Sequence, residues 1–539
     1  MFKKIIIILI LLLAFFLRFY KLGTYPALNA DEAAIGYNAY SLLETGKDEH
    51  GNPWPIHFQS FNDYKPGLYF YLVLPFVKFL GLNEWAVRIP NAFLGVLTVY
   101  VLYLLIKELK IKNSLDILAP AMLAISPWHL QFSRGGWEVN TATFFIVLGV
   151  LFFFKGLNNI VYLFLSILVF SLSLYTYHAA RVIVPLLSFG LLCINFNAVK
   201  RNIKNFILAG LLFLVAVLPL IKDITVLEVS SRVAGVGLFA DQGPLSRINE
   251  QRGEHEDFSG IKTKLLHNKP INYTLAFLEN WSDHYHGLFL FLSGDDIERN
   301  KVPETGQMYM FDIIFVLAGL WWMAKNINKE NRLVFHWLMV APIAAALTFQ
   351  SPHALRSQNM VIPLVIIAAI GVINILNWLK GQNWYLLKIG NWILLILVIW
   401  QFARYEHMYY KHMSIEYPFS SQYGLKELSS YISENEKNYE NVIITTRYDQ
   451  PYILFLFYNK YPPKKFQKNH VLTPRDKFGF STVSSFDKFI FKPINWYKDR
   501  INYPNSMIVV TPEEILKESK IVKRIYGTNG YEYFDIVAN

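Results

Sequence analysis

Uninterrupted apolar runs recur along most of this 539-residue chain, from Ile5 to beyond Trp400. A water-soluble core does not use such runs repeatedly, whereas a helix that crosses a bilayer needs about 20 mostly apolar residues. Hydrophobic residues make up 53% of the chain, as expected for a membrane protein. The sequence therefore predicts a mainly α, polytopic integral membrane protein. About eleven transmembrane helices are expected, at 5–20, 84–106, 115–130, 140–154, 159–176, 182–198, 206–222, 309–324, 333–350, 358–378 and 390–404.

The basic residues assign an orientation to these spans. The stretch 67–82 is apolar but short, and it contains Pro75 and Lys78, so it is predicted to be a juxtamembrane helix rather than a span. The basic clusters between spans then share the side of Lys3 and Lys4, as the positive-inside rule requires. The first span lacks a small-residue cleavage site and is expected to stay uncleaved. The parts predicted to lie outside a plasma or inner membrane are 21–83, 223–308 and 405–539, together with the short turns 131–139, 177–181 and 351–357.

The chain changes character after residue 404, where Lys, Glu, Asn and Tyr become frequent. Strand-like and helix-like segments alternate in this part, which is typical of a small α/β domain. We therefore predict a transmembrane domain at 1–404 and a C-terminal soluble extracytoplasmic α/β domain at 405–539. The individual elements expected in the second domain are helices at 425–433, 452–458 and 512–519 and strands at 441–446 and 506–510.

Charge and cysteine content exclude some classes of function. The formal net charge is +11, but the basic residues stand in short clusters between apolar runs, which is the pattern of cytoplasmic loops rather than of a nucleic-acid surface. The single cysteine, Cys193, lies within an apolar run, so neither a disulfide nor a thiolate metal site is expected. No His, Asp or Glu cluster has close metal-ligand spacing, and the participation of a divalent metal stays open.

The acidic pair Asp31-Glu32 lies just beyond the first apolar segment. Carboxylates near a bilayer are costly unless they are solvated, paired or used in chemistry. Asn29 and Glu32 have the spacing of a helix N-cap and its capping box, so Glu32 has a structural explanation as good as a functional one. Asp31 would not close that box. We therefore expect Asp31 to carry a function.

Other residues with chemical uses are concentrated in the predicted outward connections. Asp48-Glu49, before a Gly-Asn-Pro sequence, is expected to be a solvated turn. Lys65 and Arg134 are candidates for binding phosphate, although both could instead be anchors that extend to lipid headgroups. The remaining candidates are Asp63, Tyr64, Glu138, His178 and Arg356.

This set of residues suits one type of reaction. A carboxylate can accept a proton from an attacking hydroxyl group, and cationic side chains at the membrane boundary can hold a departing lipid-linked phosphate. A phosphate leaving group needs no strong general acid. One base and a cationic clamp therefore suffice for displacement at the anomeric carbon of a sugar.

Several stretches of the sequence resemble a known family. They are DEAAIGYNAYSLLETGKDEHGNPWP, NDYKPGLYFYLVLPFVKFLGLNEWAVRIPNAFLG, SPWHLQFSRGGWEVNTATFF, SLYTYHAARVIVPLL, FLFLSGDDIERNKVPETGQMYMFD and SPHALRSQNMVIPL. They are similar in order and content to the lipid-carrier-dependent glycosyltransferases of the GT-C superfamily. The resemblance is specifically to family 39, the dolichyl-phosphate-mannose protein mannosyltransferase-like group with bacterial relatives such as aminoarabinose transferases. It covers essentially the whole membrane part.

The resemblance implies a GT-C fold and an inverting hexosyl or pentosyl transfer from an isoprenoid-phosphate sugar to a hydroxyl of a protein, lipid or cell-envelope glycan. It implies that Asp31 is the base and that Glu32 assists it. Lys65 and Arg134 would lie near the carrier phosphate, with Arg356 as a weaker candidate. The expected contacts to acceptor or sugar are Glu138, Asp63, Tyr64 and His178.

Two departures from the family pattern concern the turn after Lys65 and the acceptor. The family often has two prolines after this lysine, whereas here Pro66 is followed by Gly67, which is expected to loosen the turn. The carbohydrate-binding β-trefoil insert of eukaryotic protein mannosyltransferases is absent from the sequence. The absence of this insert argues against a Ser/Thr protein acceptor.

Two other classes of function would leave different marks in the sequence. A transporter or flippase of lipid-linked glycans is expected to have ionisable residues near mid-span or paired broken helices. The ionisable residues here are scattered near span ends. A non-enzymatic membrane anchor for the C-terminal domain would not need acids and cations on several separate outward turns.

Overall fold

The computed structural model describes residues 2–61, 63–110, 114–226, 235–420, 422–475, 481–516 and 519–539. Within these, the chain forms two compact units, which are described separately below. The first comprises Met1–Arg18, Phe93–Ser133 and Glu138–Tyr405. The second comprises Phe19–Ala92, Arg134–Trp137 and Glu406–Asn539. The predicted boundary at residue 404 stays a prediction.

The first half of the chain is almost entirely helical. Its helices are α1 (Phe2–Phe19), α2 (Ala30–Thr45), α3 (Leu68–Leu80), α4 (Glu84–Glu108), α5 (Leu115–Ile125), α6 (Pro127–Ser133), α7 (Glu138–Gly156), α8 (Ile160–Leu174), α9 (Ala180–Ile194), α10 (Phe196–Arg201), α11 (Ile203–Val226), α12 (Gly243–Gly253), α13 (Ile261–Leu266) and α14 (Lys269–Asp283). A short antiparallel hairpin of β1 (His57–Ser60) and β2 (Asp63–Pro66) precedes α3.

Helices continue up to the C-terminal segment, where a sheet appears. The helices are α15 (Asp312–Lys325), α16 (Lys329–Val340), α17 (Ile343–Ala346), α18 (Val361–Gln382), α19 (Trp384–His407), α20 (Met413–Glu416), α21 (Leu425–Asn435), α22 (Pro451–Tyr458), α23 (Pro463–Asn469) and α24 (Trp496–Asn502). The strands are β3 (Asn441–Thr445), β4 (Val471–Leu472), β5 (Val483–Phe486), β6 (Phe489–Lys492), β7 (Ser506–Val510), β8 (Ile521–Tyr526) and β9 (Glu532–Ala538).

Every predicted span overlaps a helix, because long apolar runs are the strongest signal in a sequence of this kind. Five described helices are long and apolar enough to cross a membrane. They are Glu84–Glu108, Glu138–Gly156, Ile203–Thr225, Gln358–Gln382, which joins a 3₁₀ turn to α18, and Trp384–Glu416, which joins α19, a π-helical turn and α20. Shorter apolar helices accompany them, and three predicted spans are divided between two helices each, as at Ser126 between α5 and α6. The chain is an integral membrane protein with a mainly α fold.

The C-terminal sheet confirms the predicted α/β character. Its seven strands have the order β4-β5-β6-β3-β7-β9-β8, with β3 parallel to both β6 and β7 and the other pairs antiparallel. The predicted strands at 441–446 and 506–510 are β3 and β7, and the predicted helices at 425–433 and 452–458 are α21 and α22. These strands are apolar and buried on both faces, which makes them readable from sequence.

The helix predicted at 512–519 is wrong. In the described residues of this stretch, 512–516 and 519, the chain makes a single 3₁₀ turn, Pro512–Glu514, and is extended at Ile515, while residues 517 and 518 lie outside the described residues. Glu514 closes a capping box with Thr511 and also accepts a hydrogen bond from the Thr445 hydroxyl at 2.9 Å. These contacts hold the turn against β3.

The second unit has one main hydrophobic core, which combines α2 and α3 with the C-terminal sheet and helices. Gly36 allows a close approach of α2 to α22, because a Cβ atom there would lie 2.5 Å from the Phe457 ring. The Tyr37 hydroxyl on the same helix donates a hydrogen bond to the carbonyl of Tyr461 at 3.0 Å. The helix that carries the acidic pair is therefore packed on residues more than 400 positions later in the chain.

Candidate active site

Glu32 is buried and fully engaged by neighbouring groups. As predicted, it closes a capping box with Asn29 at the start of α2. Its two carboxylate oxygens also accept hydrogen bonds from Arg88 Nε at 2.6 Å and Arg88 Nη2 at 2.7 Å. The Gly136 N–H adds a further bond at 2.8 Å. Glu32 therefore has the contacts of a residue that fixes geometry.

Arg88 is the residue that sequence reasoning missed. It lies on α4, is fully buried, and donates hydrogen bonds to the carbonyls of Leu22, Pro26 and Ala27 at 2.9–3.1 Å in addition to Glu32. An arginine inside an apolar helix is energetically costly unless other groups pair with it. The position of Arg88 within WAVRIPNAF therefore indicates a residue with a role to fill. Arg88 ties the chain before α2 to the first turn of that helix.

Asp31 has a different environment from its neighbour. Its carboxylate takes no part in the capping box, and 29% of its side chain is accessible to solvent. Asp31 Oδ1 accepts a hydrogen bond from Lys65 Nζ at 2.5 Å. The acidic pair is thus divided into one buried structural carboxylate and one accessible carboxylate beside a cation.

Lys65 reaches Asp31 from the β1–β2 hairpin. The hairpin is held on α3 by stacking of Phe58 on Phe70, with ring centroids 4.2 Å apart, and the Lys65 ammonium lies 5.1 Å from the Phe61 ring centroid. Only 12% of the Lys65 side chain is exposed, so it is not an anchor extended into solvent.

Gly67 does not loosen the turn after Lys65. Its N–H donates to the carbonyl of Ile56 at 2.8 Å, and a Cβ atom at Gly67 would lie 2.7 Å from that carbonyl oxygen. The glycine is needed because the two segments approach closely here. This part of the hairpin is tight.

Arg134 is buried and held by the π-helical turn Met408–His412 that follows α19. Its Nε donates to the Tyr409 hydroxyl at 3.1 Å and its Nη2 to the carbonyl of Tyr20 at 2.7 Å. The guanidinium carbon lies 5.2 Å from the Tyr409 ring centroid and 5.3 Å from that of Tyr410. A buried, aromatic-stacked guanidinium is not a headgroup anchor. It is a fixed positive charge.

A pair of glycines connects Arg134 to the acidic pair. Gly136 donates to Glu32, and the Gly135 carbonyl accepts a bond from Asn91 Nδ2 at 2.6 Å. A Cβ atom at Gly135 would lie 2.6 Å from Trp137 Nε1. The turn 134–137 thus belongs to the same compact unit as Asp31 and Lys65. It supplies both Arg134 and the Gly136 N–H that contacts Glu32.

The other candidates are distributed over both units. Asp63 and Tyr64 lie on β2, opposite Ser60 and Gln59 in the hairpin register. Glu138, His178 and Arg356 belong to the first unit, and Glu138 is a half-buried residue in the first turn of α7.

His178 and Arg356 line a common cavity of about 570 Å³ in the first unit. The same cavity contains Arg181, whose Nη1 lies 3.0 Å from His178 Nδ1. Arg356 Nη1 donates to the Thr348 hydroxyl at 2.7 Å. Most of the remaining lining is apolar, for example Leu238 and Leu347. A cavity with this lining has the character of a site for an amphipathic anion.

Asp48 and Glu49 do not form the predicted solvated turn. Both are fully buried. Among the described residues, no group donates a hydrogen bond to either carboxylate oxygen of Glu49, and burial followed by the nearby charge of Asp48 raises its pKa to about 8. Burial also lowers the pKa of His50 to about 3, and His50 Nδ1 lies 3.2 Å from His470 Nε2 of the C-terminal segment. The turn is covered by residues that are distant in sequence.

In the part of the chain that the structure describes, no group of three or more His, Cys, Asp or Glu side chains is arranged to hold a metal ion.

Comparison with solved structures identifies the fold. ArnT from Cupriavidus metallidurans in the apo state superposes with a TM-score of 0.58 at 10% identity, over 99% of this chain and 98% of that chain. ArnT bound to undecaprenyl phosphate gives a TM-score of 0.54 at 11% identity, over 98% and 97%. The chain has the GT-C fold.

A third GT-C neighbour is larger than this chain. The archaeal oligosaccharyltransferase AglB from Archaeoglobus fulgidus, in complex with an inhibitory peptide and a dolichol-phosphate, gives a TM-score of 0.53 at 12% identity. The alignment covers 85% of this chain, which spans only 64% of the length of AglB.

The match in sequence covers less of the chain than the match in structure. Residues 8–174 match the family model of dolichyl-phosphate-mannose-protein mannosyltransferase. No curated protein matches the chain significantly in sequence. The resemblance to GT-C enzymes is thus confirmed at the level of the fold.

Proposed function

We propose that the protein is an inverting glycosyltransferase that moves a sugar from an isoprenoid-phosphate carrier to an acceptor hydroxyl. The observation that carries this proposal is the 2.5 Å contact between Asp31 and Lys65 beside a separately anchored Glu32. It pairs an accessible carboxylate with a fixed cation on a GT-C fold. Support also comes from the ArnT and AglB structures, which hold undecaprenyl phosphate and a dolichol-phosphate.

Each side chain has a defined part in the proposed reaction. As the acceptor oxygen bonds to the anomeric carbon, Asp31 accepts the hydroxyl proton. The bond from that carbon to the phosphate oxygen breaks, and the phosphate leaves with the electron pair. Lys65 stabilises the charge that develops on the phosphate, and Arg134 adds a second positive charge. Glu32 holds the first turn of α2 so that Asp31 keeps its position.

The location and the acceptor complete the proposal. The reaction is placed at the outer face of the membrane, with 405–539 as an extracytoplasmic domain, because the distribution of basic loops favours that orientation. The acceptor is a hydroxyl of a protein, lipid or cell-envelope glycan. Glu138, Asp63, Tyr64 and His178 are the proposed contacts to acceptor or sugar, and Arg356 is a further phosphate contact.

The test is transfer by Asp31→Asn in liposomes supplied with polyprenyl-phosphate mannose and polyprenyl-phosphate aminoarabinose. Free carrier phosphate and glycosylated product are measured together. We expect a loss of at least about 10²-fold, because general base catalysis contributes about 10²–10⁴-fold. Expression and thermal unfolding should be unchanged.

The exposed Asp257, changed to Asn, serves as the matched control and should keep full activity. Full activity of Asp31→Asn would remove Asp31 from the role of base. A wild-type protein that moves the carrier lipid between leaflets without releasing carrier phosphate would instead be a flippase.

A further inference from the structure

Four aromatic side chains form a cluster on the C-terminal segment, which we name the aromatic platform: Phe419, Tyr448, Tyr531 and Tyr533. The Phe419 ring stacks on Tyr448 at 5.3 Å with an interplanar angle of 25°. It also contacts Tyr533 and Tyr531, with ring centroids 4.3 and 5.5 Å away. The rings support one another, so the platform is preorganised.

The platform is partly exposed, because two of its four rings are accessible to solvent and Tyr448 is half-buried. Phe419 is 40% and Tyr531 44% accessible to solvent, although Tyr533 beneath them is buried. Single exposed aromatics are ordinary, whereas contiguous exposed apolar patches mark interaction sites in many proteins. Tyrosine and phenylalanine are also suited to binding because they lose little conformational entropy when a ligand covers them.

Charged groups border the exposed rings. The Tyr531 hydroxyl donates a hydrogen bond to Glu513 Oε1 at 3.0 Å, and Arg447 Nη2 lies 3.6 Å from Glu513 Oε2. Asp449 is exposed next to Tyr448. An occupant must therefore combine an apolar face with a periphery rich in hydrogen-bonding groups.

One side chain connects the platform to the head of α2. Gln422 Oε1 accepts a hydrogen bond from the Ala30 N–H at 2.6 Å, and Gln422 Nε2 donates to the carbonyl of Asp449 at 2.5 Å. Ala30 directly precedes Asp31. The loop that bears Tyr448 is thus two hydrogen bonds away from the proposed base.

We propose that the aromatic platform binds the sugar rings of a glycan acceptor. A pyranose presents axial C–H groups on one face, which cover an aromatic ring, and hydroxyls around its edge, which suit Glu513, Arg447 and Asp449. This inference rests on the proposed glycosyl transfer and narrows the acceptor class to a glycan.

A cleft of about 400 Å³ beside the hairpin that links β8 to β9 gives the acceptor more room. It is bordered by Tyr423, Gly424, Lys426, Glu427, Ser430, Tyr526 and Thr528. Tyr533 lies beneath this hairpin, where a Cβ atom at Gly527 would be 2.5 Å from its ring. The platform and the cleft thus share one hairpin, which suits an acceptor of more than one sugar unit.

The test uses the full chain in lipid nanodiscs without donor. Saturation-transfer NMR is recorded with mannotriose, chitotriose, maltotriose and a Ser/Thr-rich 15-residue peptide as probes. We expect at least one trisaccharide to bind through its ring C–H groups. In Tyr531→Ala and Phe419→Ala its dissociation constant should rise at least tenfold. Tyr531→Phe should retain most of the binding.

Tyr497→Ala is the matched control, because this tyrosine is 65% exposed on the same segment but outside the platform. Absence of binding to every trisaccharide, or equal affinity in all variants, would overturn the proposal. Binding of the peptide alone, lost in the platform variants, would overturn it in favour of a peptide acceptor.

The same titration with Asp31→Asn separates the two proposals. Sugar binding should persist in that variant. If binding holds while no carrier-linked sugar is ever transferred, the proposed function fails and the glycan site stands. If transfer occurs and the platform variants change neither binding nor the acceptor KM, only the glycan site fails.

Discussion

Glu32 and Arg88 form a fully buried ion pair through two hydrogen bonds of 2.6 and 2.7 Å. Two parallel N–H bonds to one carboxylate fix orientation as well as distance. This pair attaches the first turn of α2 to α4. The hydrogen bond from the Gly136 N–H attaches the turn that begins at Arg134 to the same carboxylate. Protein groups occupy the hydrogen-bonding positions of the Glu32 carboxylate, so Glu32 holds the adjacent Asp31 in place.

Removing one partner of this pair should destabilise the protein strongly. We expect Arg88→Ala to lower the free energy of unfolding by about 3–5 kcal/mol, because it leaves Glu32 buried and charged without its partner. Thermal unfolding in detergent measures the effect. The double variant Arg88→Met/Glu32→Leu should be less destabilised than Arg88→Ala. A double variant as unstable as the single one would show that shape, not charge, dominates here.

Lys65→Ala should reduce the enzyme's efficiency toward the polyprenyl-phosphate sugar donor more than its efficiency toward the acceptor. The side chain supplies the cation nearest the proposed base, and loss of one such electrostatic contact lowers the rate by about 10²–10³-fold. Steady-state kinetics with varied polyprenyl-phosphate sugar measure this, and Lys65→Arg should recover part of the activity. The exposed Lys437, changed to Ala, is the control. Unchanged donor dependence in Lys65→Ala would leave the lysine a purely structural role.

Glu49→Gln should change how stability depends on pH. Burial raises the pKa of Glu49 to about 8 in the folded chain, against about 4.5 when exposed. Between these values the folded state keeps a proton that the unfolded state has released, so this group makes stability fall as pH rises. The glutamine variant should therefore be more stable than wild type at pH 8–9, by at least about 1 kcal/mol.

The difference between Glu49→Gln and wild type should vanish near pH 4.5. His50 acts in the opposite direction, because its pKa is lowered to about 3 and its contribution rises with pH up to about 6.5. Both proteins keep His50, so the difference between their unfolding curves at each pH reports Glu49 together with its 3.6 Å contact to His50 Nε2. A constant offset at all pH values would contradict the protonated state of Glu49.

Cysteine labelling tests the proposed outward orientation. Cys193 is the single native cysteine and is exposed, so it is first replaced by serine. A cysteine is then introduced at Asn52, an exposed position, or at Ser420. A membrane-impermeant maleimide added to intact cells should label both. Labelling only after the membrane is opened would place these segments inside.

The sequence predicted the elements whose signal is local. Long apolar runs located the helices, Asn29 and Glu32 predicted the capping box, and the apolar strands β3 and β7 were found because both of their faces are buried. In contrast, β8 was missed. It is an edge strand with alternating exposed residues such as Arg524, and its pairing with β9 is set by tertiary structure.

The site was predictable only in part. The different environments of Asp31 and Glu32 follow from capping rules. The partner Arg88 lies 56 residues away from Glu32, and the sequence alone assigned it no role. Asp48-Glu49 has the composition of a turn in water. Its burial depends on residues such as His470, 420 positions after His50, which no local pattern reveals.

The shared core of α2 and the C-terminal segment has a consequence for biosynthesis. Gly36 packs on Phe457, and Ala30 is bonded to Gln422, so α2 cannot acquire its native neighbours until translation is almost finished. At about 5–20 residues per second, that delay is on the order of tens of seconds. A chain ended by a premature stop codon before Gln422 would still contain its membrane helices, yet the segment that bears Asp31 would lack its packing surface. Incomplete chains would therefore lack the packing that positions the proposed base.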